Sequence, residues 1–335
     1  MASVSIAGKG HVGSCMLELF QDAIVYDKYL GIGKLEDLKD CEFIFVCVPT
    51  PMGDFGECDT TEVDSVLSEL NKVCLSKSVV IIRSTVPVGY TDKANSRYSF
   101  DVIFQPEYYG ETYKHPFANP HNRSWITLGG DELGTSRVAK LYQNVFTSDI
   151  IIHQTDAKTA ELAKYMENCF YATKVTFCNQ FYDIANKVGV DYNKLRETWL
   201  LDPRVGSSHT FVYEDNRGFG GSCLPKDLSA MIYQADTHGV FMPLLDSVQS
   251  TNRVYKFMND INLSDDATYR DIITKVVHAI KLNEIDVVIP STIKISKDVI
   301  DILKSAGYSV HERIISYEHG GWDYNGYMIT WEEHK

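Results

Sequence analysis

The stretch Val4-Ser5-Ile6-Ala7-Gly8-Lys9-Gly10-His11-Val12-Gly13 decides the fold. A short strand pattern runs into a G-x-G-x-x-G loop, and a helical pattern opens at about His11 and continues to Phe20. The glycines of such a loop permit a tight turn, close approach of the backbone to a pyrophosphate, and close packing of helix on strand. The helix that follows offers its unpaired N–H groups to the phosphates. The motif is weak alone and gains weight from Asp27, which ends the next strand pattern, AIVYD (23–27). A carboxylate there bonds the adenosine ribose hydroxyls and repels a 2′-phosphate, which points to NAD rather than NADP. The plain alternative is a tight turn followed by a surface acid.

Outward from this unit, EFIFVCV (42–48), VVIIRS (79–84), DVIF (101–104), SWITL (124–128) and DIIIH (149–153) read as further strands. Helical patterns lie between them, such as Val63, Val66, Leu67, Leu70 and Val73. The alternation predicts an α/β fold with a parallel sheet covered on both faces. At about Thr155 the pattern changes. Residues 157–188 contain no Gly or Pro and are apolar on most sides. They predict one helix about 45 Å long, of the kind usually buried between domains or subunits. Helical patterns continue to about Asn259, and NLSDDATY (262–269) reads as a linker. A strand–helix–strand follows over 285–290, 296–306 and 308–315, and the last twenty residues show no clear period.

Composition narrows the function. Of 335 residues, 44% are hydrophobic, enough for a packed core. A formal charge of −13 argues against a nonspecific nucleic-acid binder, which needs a basic surface. The 8 cysteines show neither CxxC nor any Cys/His ligand spacing, so a reducing compartment and no metal are expected. No apolar run approaches the roughly 20 residues of a membrane span. The chain opens directly on a strand pattern, so no leader and a cytoplasmic location are expected.

GFGGSCLPKD (218–227) carries the chemistry. Cys223 alone among the cysteines sits in a glycine-rich loop ahead of a helical pattern, with Pro225 suited to the first turn. A helix N-terminus and a nearby Lys favour the thiolate, so Cys223 reads as a nucleophile. Cys15, Cys47, Cys74, Cys169 and Cys178 read as small buried thiols. Lys164 and Asn168, four apart, share one face of the long helix. Lys164 there needs a counter-charge, which Asp227 could supply, or else it snorkels to the surface.

These residues resemble the UDP-glucose/GDP-mannose dehydrogenase family from about Ser3 to about Asn252. The resemblance is carried by GKGHVG, VPTP (48–51), STVPVG (84–89), QPEYYGE (105–111), ELAKYMENCFYATKV (161–175) and GFGGSCLPKD. STVPVG looks more like the UDP-glucose branch. The resemblance implies two successive NAD-dependent oxidations of UDP-glucose to UDP-glucuronate through a thioester on Cys223. Lys164 and Asn168 would stabilise the oxyanion, Asp227 would hold Lys164 or position water, and Glu107 would be the base for hydrolysis. Thr85 would hold a water near the cofactor. Gly8, Gly10, Val12, Gly13, Asp27, Thr50, Thr85, Glu111 and Lys226 would line the NAD site. Glu107, Tyr108, Tyr109, Lys164, Asn168, Arg204, Tyr213 and Gly221 would touch the sugar nucleotide, with Arg204 reaching across a homodimer. No nucleic-acid or membrane partner is expected. The implied organisation is an NAD-binding Rossmann-type domain over 1–154, a helical dimerisation and catalytic domain over 155–261, and a truncated α/β nucleotide-binding region over 262–335.

Two departures from the family pattern stand out. Only about fourteen residues separate Asp27 from EFIFVCV, so the sheet should be trimmed at that edge. IDVVIPSTIKIS (285–296) lacks the Gly, Lys and Arg expected there, so no uridine contact is carried over to it by motif, and the aromatic tail (Trp322, Tyr324, Tyr327, Trp331) reads as a plug for a core edge rather than a surface for base stacking. Other nucleotide sugars such as GDP-mannose, a single-oxidation β-hydroxyacid dehydrogenase, and a degenerate nucleotide-sugar binder stay open as alternatives.

Overall fold

The computed structural model describes residues 3–74, 77–109, 119–146, 150–261, 286–290, 308–315 and 324–331. The chain forms two units: Met1–Lys174 with Gly220–Asp246, and Val175–Phe219 with Ser247–Lys335.

The first unit is built on a seven-stranded sheet. Its strands are β1 (Val4–Ala7), β2 (Ile24–Tyr26), β3 (Phe43–Val46), β4 (Val79–Ile82), β5 (Asp101–Phe104), β6 (Trp125–Gly129) and β7 (Ile151–Thr155), in the order β2-β1-β3-β4-β5-β6-β7. The apolar runs are continuous because both faces are buried. Phe43, Phe45, Val79, Ile81 and Ile103 pack with Cys15, Met16 and Leu19 of α1 (His11–Leu19) and with Val138, Leu141 and Tyr142 of α4 (Glu132–Gln143). Their neighbours Ile44, Val46, Val80, Ile82, Val102 and Phe104 pack on the other side with Val63, Val66, Leu67 and Leu70 of α2 (Thr61–Val73) and Ala94 of α3 (Tyr90–Arg97). All four β4 side chains are wholly buried, each contributing about 1.5–3 kcal/mol.

The sheet departs from all-parallel at one place: β6 meets β5 antiparallel at Gly129–Phe104, and β7 then runs parallel to β6. β2 is an edge strand, and only a 3-10 turn (Leu35–Leu38) intervenes before β3, so the sheet is trimmed at the expected edge.

The long helix is α5 (Ala157–Lys187), 31 residues. The remaining helices are α6 (Tyr192–Trp199), α7 (Leu224–Thr237) and α8 (Pro243–Ile261). In the second unit Arg217 is a hub. It donates to Asn179 Oδ1 (2.7 Å) and Asp183 Oδ1 (2.6 Å) and lies over the rings of Tyr182 and Tyr255. The backbone N–H and C=O of Phe219 are both bonded by the Asn252 amide (2.7 and 3.0 Å).

Also in this unit, β8 (Asp286–Pro290), β9 (Tyr308–Ile315) and β10 (Tyr324–Trp331) form a sheet of order β8-β10-β9, with β10 antiparallel to both neighbours. β10 falls in the tail that shows no period in sequence. The helix expected over 296–306, the linker 262–269 and Trp322 lie outside the described residues. Among the described residues, no helix is long and apolar enough to cross a membrane.

Candidate active site

The glycine loop shows why each glycine is needed. At Gly8, with φ +96°, a Cβ would stand 2.5 Å from the Cys47 carbonyl oxygen, and at Gly13 it would stand 1.9 Å from that of Gly8. Those two are required by the protein's own packing. At Gly10 a Cβ would meet nothing within 4 Å. Its backbone faces a cleft of about 320 Å³ lined by Gly8, Gly10, His11, Val12 and Asp27 among others. Helix α1 starts there with no side-chain cap and no acid in its first turn, which leaves its N-terminal dipole available to an anion. The Asp27 carboxylate accepts the N–H groups of Lys9 (2.7 Å), Tyr29 (2.9 Å) and Leu30 (2.8 Å). The Lys9 amide leads in holding its pKa below the usual carboxylate range. Glu62 and Glu69 of α2 line the same cleft. The residues present therefore fit a dinucleotide whose ribose carries no phosphate.

All eight cysteines are among the described residues, and Cys223 is the only exposed one. Burial pushes Cys15 up to about 11, and Cys47 and Cys169 up to about 12, so these stay thiols. Cys74 is half-buried rather than buried. Cys223 occupies the N-cap of α7, with Pro225 in the first turn. One turn on, Asp227 is 1% exposed and accepts Asn168 Nδ2 from α5 at 2.5 Å. Its cationic partner is Lys226, not Lys164. Lys164, also buried, sets its ammonium 4.8 Å from the centre of the Tyr108 ring.

Beyond β5, Glu107 pairs with Arg83 (3.2 Å) and accepts the Tyr109 N–H. Burial raises the Glu107 pKa, opposed by Arg83, Lys164, Arg123 and His11 in that order. Arg83 is 1% exposed and also donates to the carbonyls of Gln105 and Pro106 (3.0 and 3.2 Å). Arg123 lies about 5 Å over Tyr108, Tyr109 and Trp125. Neither arginine belongs to a motif that marks it in sequence, and the one local signal is that Arg83 closes the apolar run VVII ahead of STVPVG. Thr50, Thr85 and Lys226 gather about Cys58 rather than the dinucleotide cleft. The Cys58 thiol donates to Thr85 O (3.3 Å), and burial pushes its pKa up against Lys226, Tyr165 and Thr50.

Comparison with known proteins agrees with this architecture. Residues 16–146 match the NAD binding domain of the UDP-glucose/GDP-mannose dehydrogenase family, and residues 158–254 match its central domain, together more than half of the chain. The chain belongs to the UDP-glucose/GDP-mannose dehydrogenase family. UDP-glucose 6-dehydrogenase TuaD of Bacillus subtilis is 31% identical over 223 residues, 64% of this chain and 47% of that protein. The chain thus spans about half the length of the curated relatives it matches. Two solved structures share the fold. A UDP-glucose dehydrogenase from the hyperthermophilic archaeon Pyrobaculum islandicum has TM-score 0.66 and 24% identity, covering 78% of this chain and 71% of that one. GDP-mannose dehydrogenase from Pseudomonas aeruginosa has TM-score 0.53 and 23% identity, with the same coverage.

Within this family the N-terminal domain binds NAD, and the cleft at Gly10 and Asp27 fits that cofactor. Of the other residues carried over by resemblance, Gly221 stands at φ +80° ahead of Cys223. Arg204 and Tyr213 belong to the second unit, where both are exposed and Arg204 pairs with Asp202 at 2.6 Å. Glu111 lies outside the described residues.

Proposed function

We propose that this chain oxidises the C6 alcohol of UDP-glucose to the carboxylate through a thiohemiacetal and a thioester on Cys223. One observation carries the reading: the only exposed cysteine caps the helix whose first turns bear Lys226 and Asp227, and Asp227 is bonded to Asn168 of α5. The substrate class follows from the family, and the choice of UDP-glucose from the printed activity of its curated relatives.

NAD, when bound, takes up two electrons and a proton from carbon at each of the two oxidations. The residues divide the remaining work. The substrate hydroxyl and the Cys223 thiol give up their protons to solvent water, and the Lys164 ammonium, held in a buried site over Tyr108, opposes the resulting alkoxide and then the oxyanion of the thiohemiacetal. Asn168 has two amide N–H groups. Asp227 takes one and so orients the other toward the same oxygen. The Cys223 sulfur adds to the aldehyde carbon, and after the second oxidation water cleaves the thioester and returns the thiol. Glu107 is the base that takes the proton of that water, and Thr85 holds a water on the approach to carbon. Partnership with a second copy of the chain through α5 completes the proposal. Along the part of that helix in the second unit, Phe177, Phe181 and Ile184 stand exposed at helical spacing, an apolar stripe of the kind that subunit contacts cover.

The test is stoichiometric. Purified protein with NAD and UDP-glucose should release two NADH per acid formed, and Cys223→Ala should release no acid while still binding NAD. One NADH per sugar would refute the thioester path, and turnover of GDP-mannose without UDP-glucose would refute the substrate.

A further inference from the structure

Glu161 is wholly buried, and no step above uses it. It lies on α5 one turn before Lys164 and two before Asn168, so the three side chains leave one face of the helix. A buried carboxylate persists where its lone pairs are satisfied. Those of Glu161 accept the backbone N–H groups of Gly89 (2.5 Å) and Thr91 (2.9 Å). Gly89 is the last residue of the STVPVG turn that carries Thr85, and it stands in the left-handed region at φ +89°.

The same turn is gripped from two other directions. From α7, the Gln234 amide bonds both sides of one residue: Val88 N–H donates to its Oε1 and its Nε2 donates to Val88 O, each at 3.1 Å. From the segment closed by the Met52–Cys58 bridge, the Cys58 thiol donates to Thr85 O at 3.3 Å. Val88 packs into the small apolar cluster of Cys58, Tyr165, Ala230 and Met231. Helices α5 and α7 are in turn tied by Asn168 and Asp227 (2.5 Å). Three pieces of chain thus form a closed triangle. Asn168–Asp227 is one side, Glu161 with Gly89 and Thr91 the second, and Gln234 with Val88 the third.

We propose that Glu161 is a positioning residue that, with Gln234, locks the Thr85 turn in register with Lys164 and Asn168 on α5 and with Cys223 and Asp227 on α7. The inference rests on the reaction proposed above, since it assigns Glu161 a role through Thr85. A glutamine at 161 keeps the size of the side chain and removes one of the two acceptors, replacing it with an N–H donor that faces a backbone N–H. The turn must then shift, and misplacement by about 1 Å can cost on the order of a hundredfold in rate.

The experiment combines Glu161→Gln, Thr85→Ala and the double variant, read by kcat, by NAD affinity, and by amide hydrogen exchange in the peptide covering 84–93. Glu161→Gln should speed exchange in that peptide, leave NAD affinity unchanged and lower kcat about tenfold to a hundredfold. In the Thr85→Ala background it should cost nothing further, because the residue it acts through is gone. General damage to the fold would instead multiply the two losses. Unaltered exchange at 84–93, or losses that multiply, overturns the proposal. Should Glu161→Gln fail to fold, Gln234→Met opens the third side of the triangle and must give the same non-multiplying pattern with Thr85→Ala. A wild-type protein that oxidises no nucleotide sugar would sink the proposed function instead. Exchange at 84–93 would then still decide whether Glu161 holds the turn.

Discussion

Gly10 and Gly13 should fail in opposite ways when each is replaced by alanine. At Gly13 the new Cβ would sit 1.9 Å from the Gly8 carbonyl oxygen, more than 1 Å inside ordinary contact. The obstacle is backbone at the end of a buried strand, so the strand or the helix must move. Overpacking of this kind costs about 1–3 kcal/mol. At Gly10 the Cβ meets nothing, and the backbone (φ −72°, ψ −159°) is open to any residue. Two small terms then oppose each other. Alanine restricts the unfolded chain, which stabilises by about 0.4–1 kcal/mol, and it is a poor N-cap, which costs a similar amount. The melting temperature of Gly10→Ala without cofactor should therefore stay near that of the wild type. Its NAD affinity should not, because the methyl occupies the face from which backbone N–H groups reach the pyrophosphate. Losing one or two charge-assisted hydrogen bonds of about 1.5–3 kcal/mol each raises the dissociation constant by about tenfold at the low end and on the order of ten thousandfold at the high end. Thermal unfolding and calorimetric titration with NAD separate the two effects. Wild-type NAD affinity in Gly10→Ala would refute the placement of the pyrophosphate. A Gly13→Ala protein as stable as the wild type would refute the loop geometry.

Asp27→Asn should narrow the preference for NAD over NADP in competition binding. The preference should not reverse, because Glu62 and Glu69 keep the cleft acidic, so strong NADP binding by the variant would show that these two acids do not face the ribose. Glu107 must be ionised to act as the base, and burial holds its pKa above the ordinary glutamate range against the pull of Arg83. Thioester hydrolysis should therefore fall as pH drops through that raised value. Arg83→Met removes the opposing charge and should move the inflection to higher pH, and a profile of the hydrolysis step that stays put or moves down would remove Glu107 from the role. Phe181→Glu, which sets a charge in the exposed stripe of α5, should give a monomer in light scattering if that stripe is the subunit contact, and an unchanged mass would move the contact elsewhere.

Local rules were enough for much of this protein. Strands β1 to β9 and the 31-residue helix α5 follow from apolar runs and from the positions of Gly and Pro. The dinucleotide loop is legible because its glycines answer to geometry within six residues. Cys223 stands out as the one thiol in a glycine loop ahead of a helix, and its exposure agrees. Other features depend on contacts between residues far apart in sequence, which no local pattern records. The β5–β6 contact is antiparallel, and β10 is placed by its pairing with β8 and β9, which lie well before it in the chain. Asp227 takes its chain neighbour Lys226 as its cation, and its bond to Asn168, 59 positions away, forms only because α5 meets α7. Arg83, Arg123 and Glu161 acquire their meaning only when strand ends, the loop after β5 and the long helix converge. A buried charge is chosen by the partners that surround it, and the partners of these three are brought in by tertiary packing.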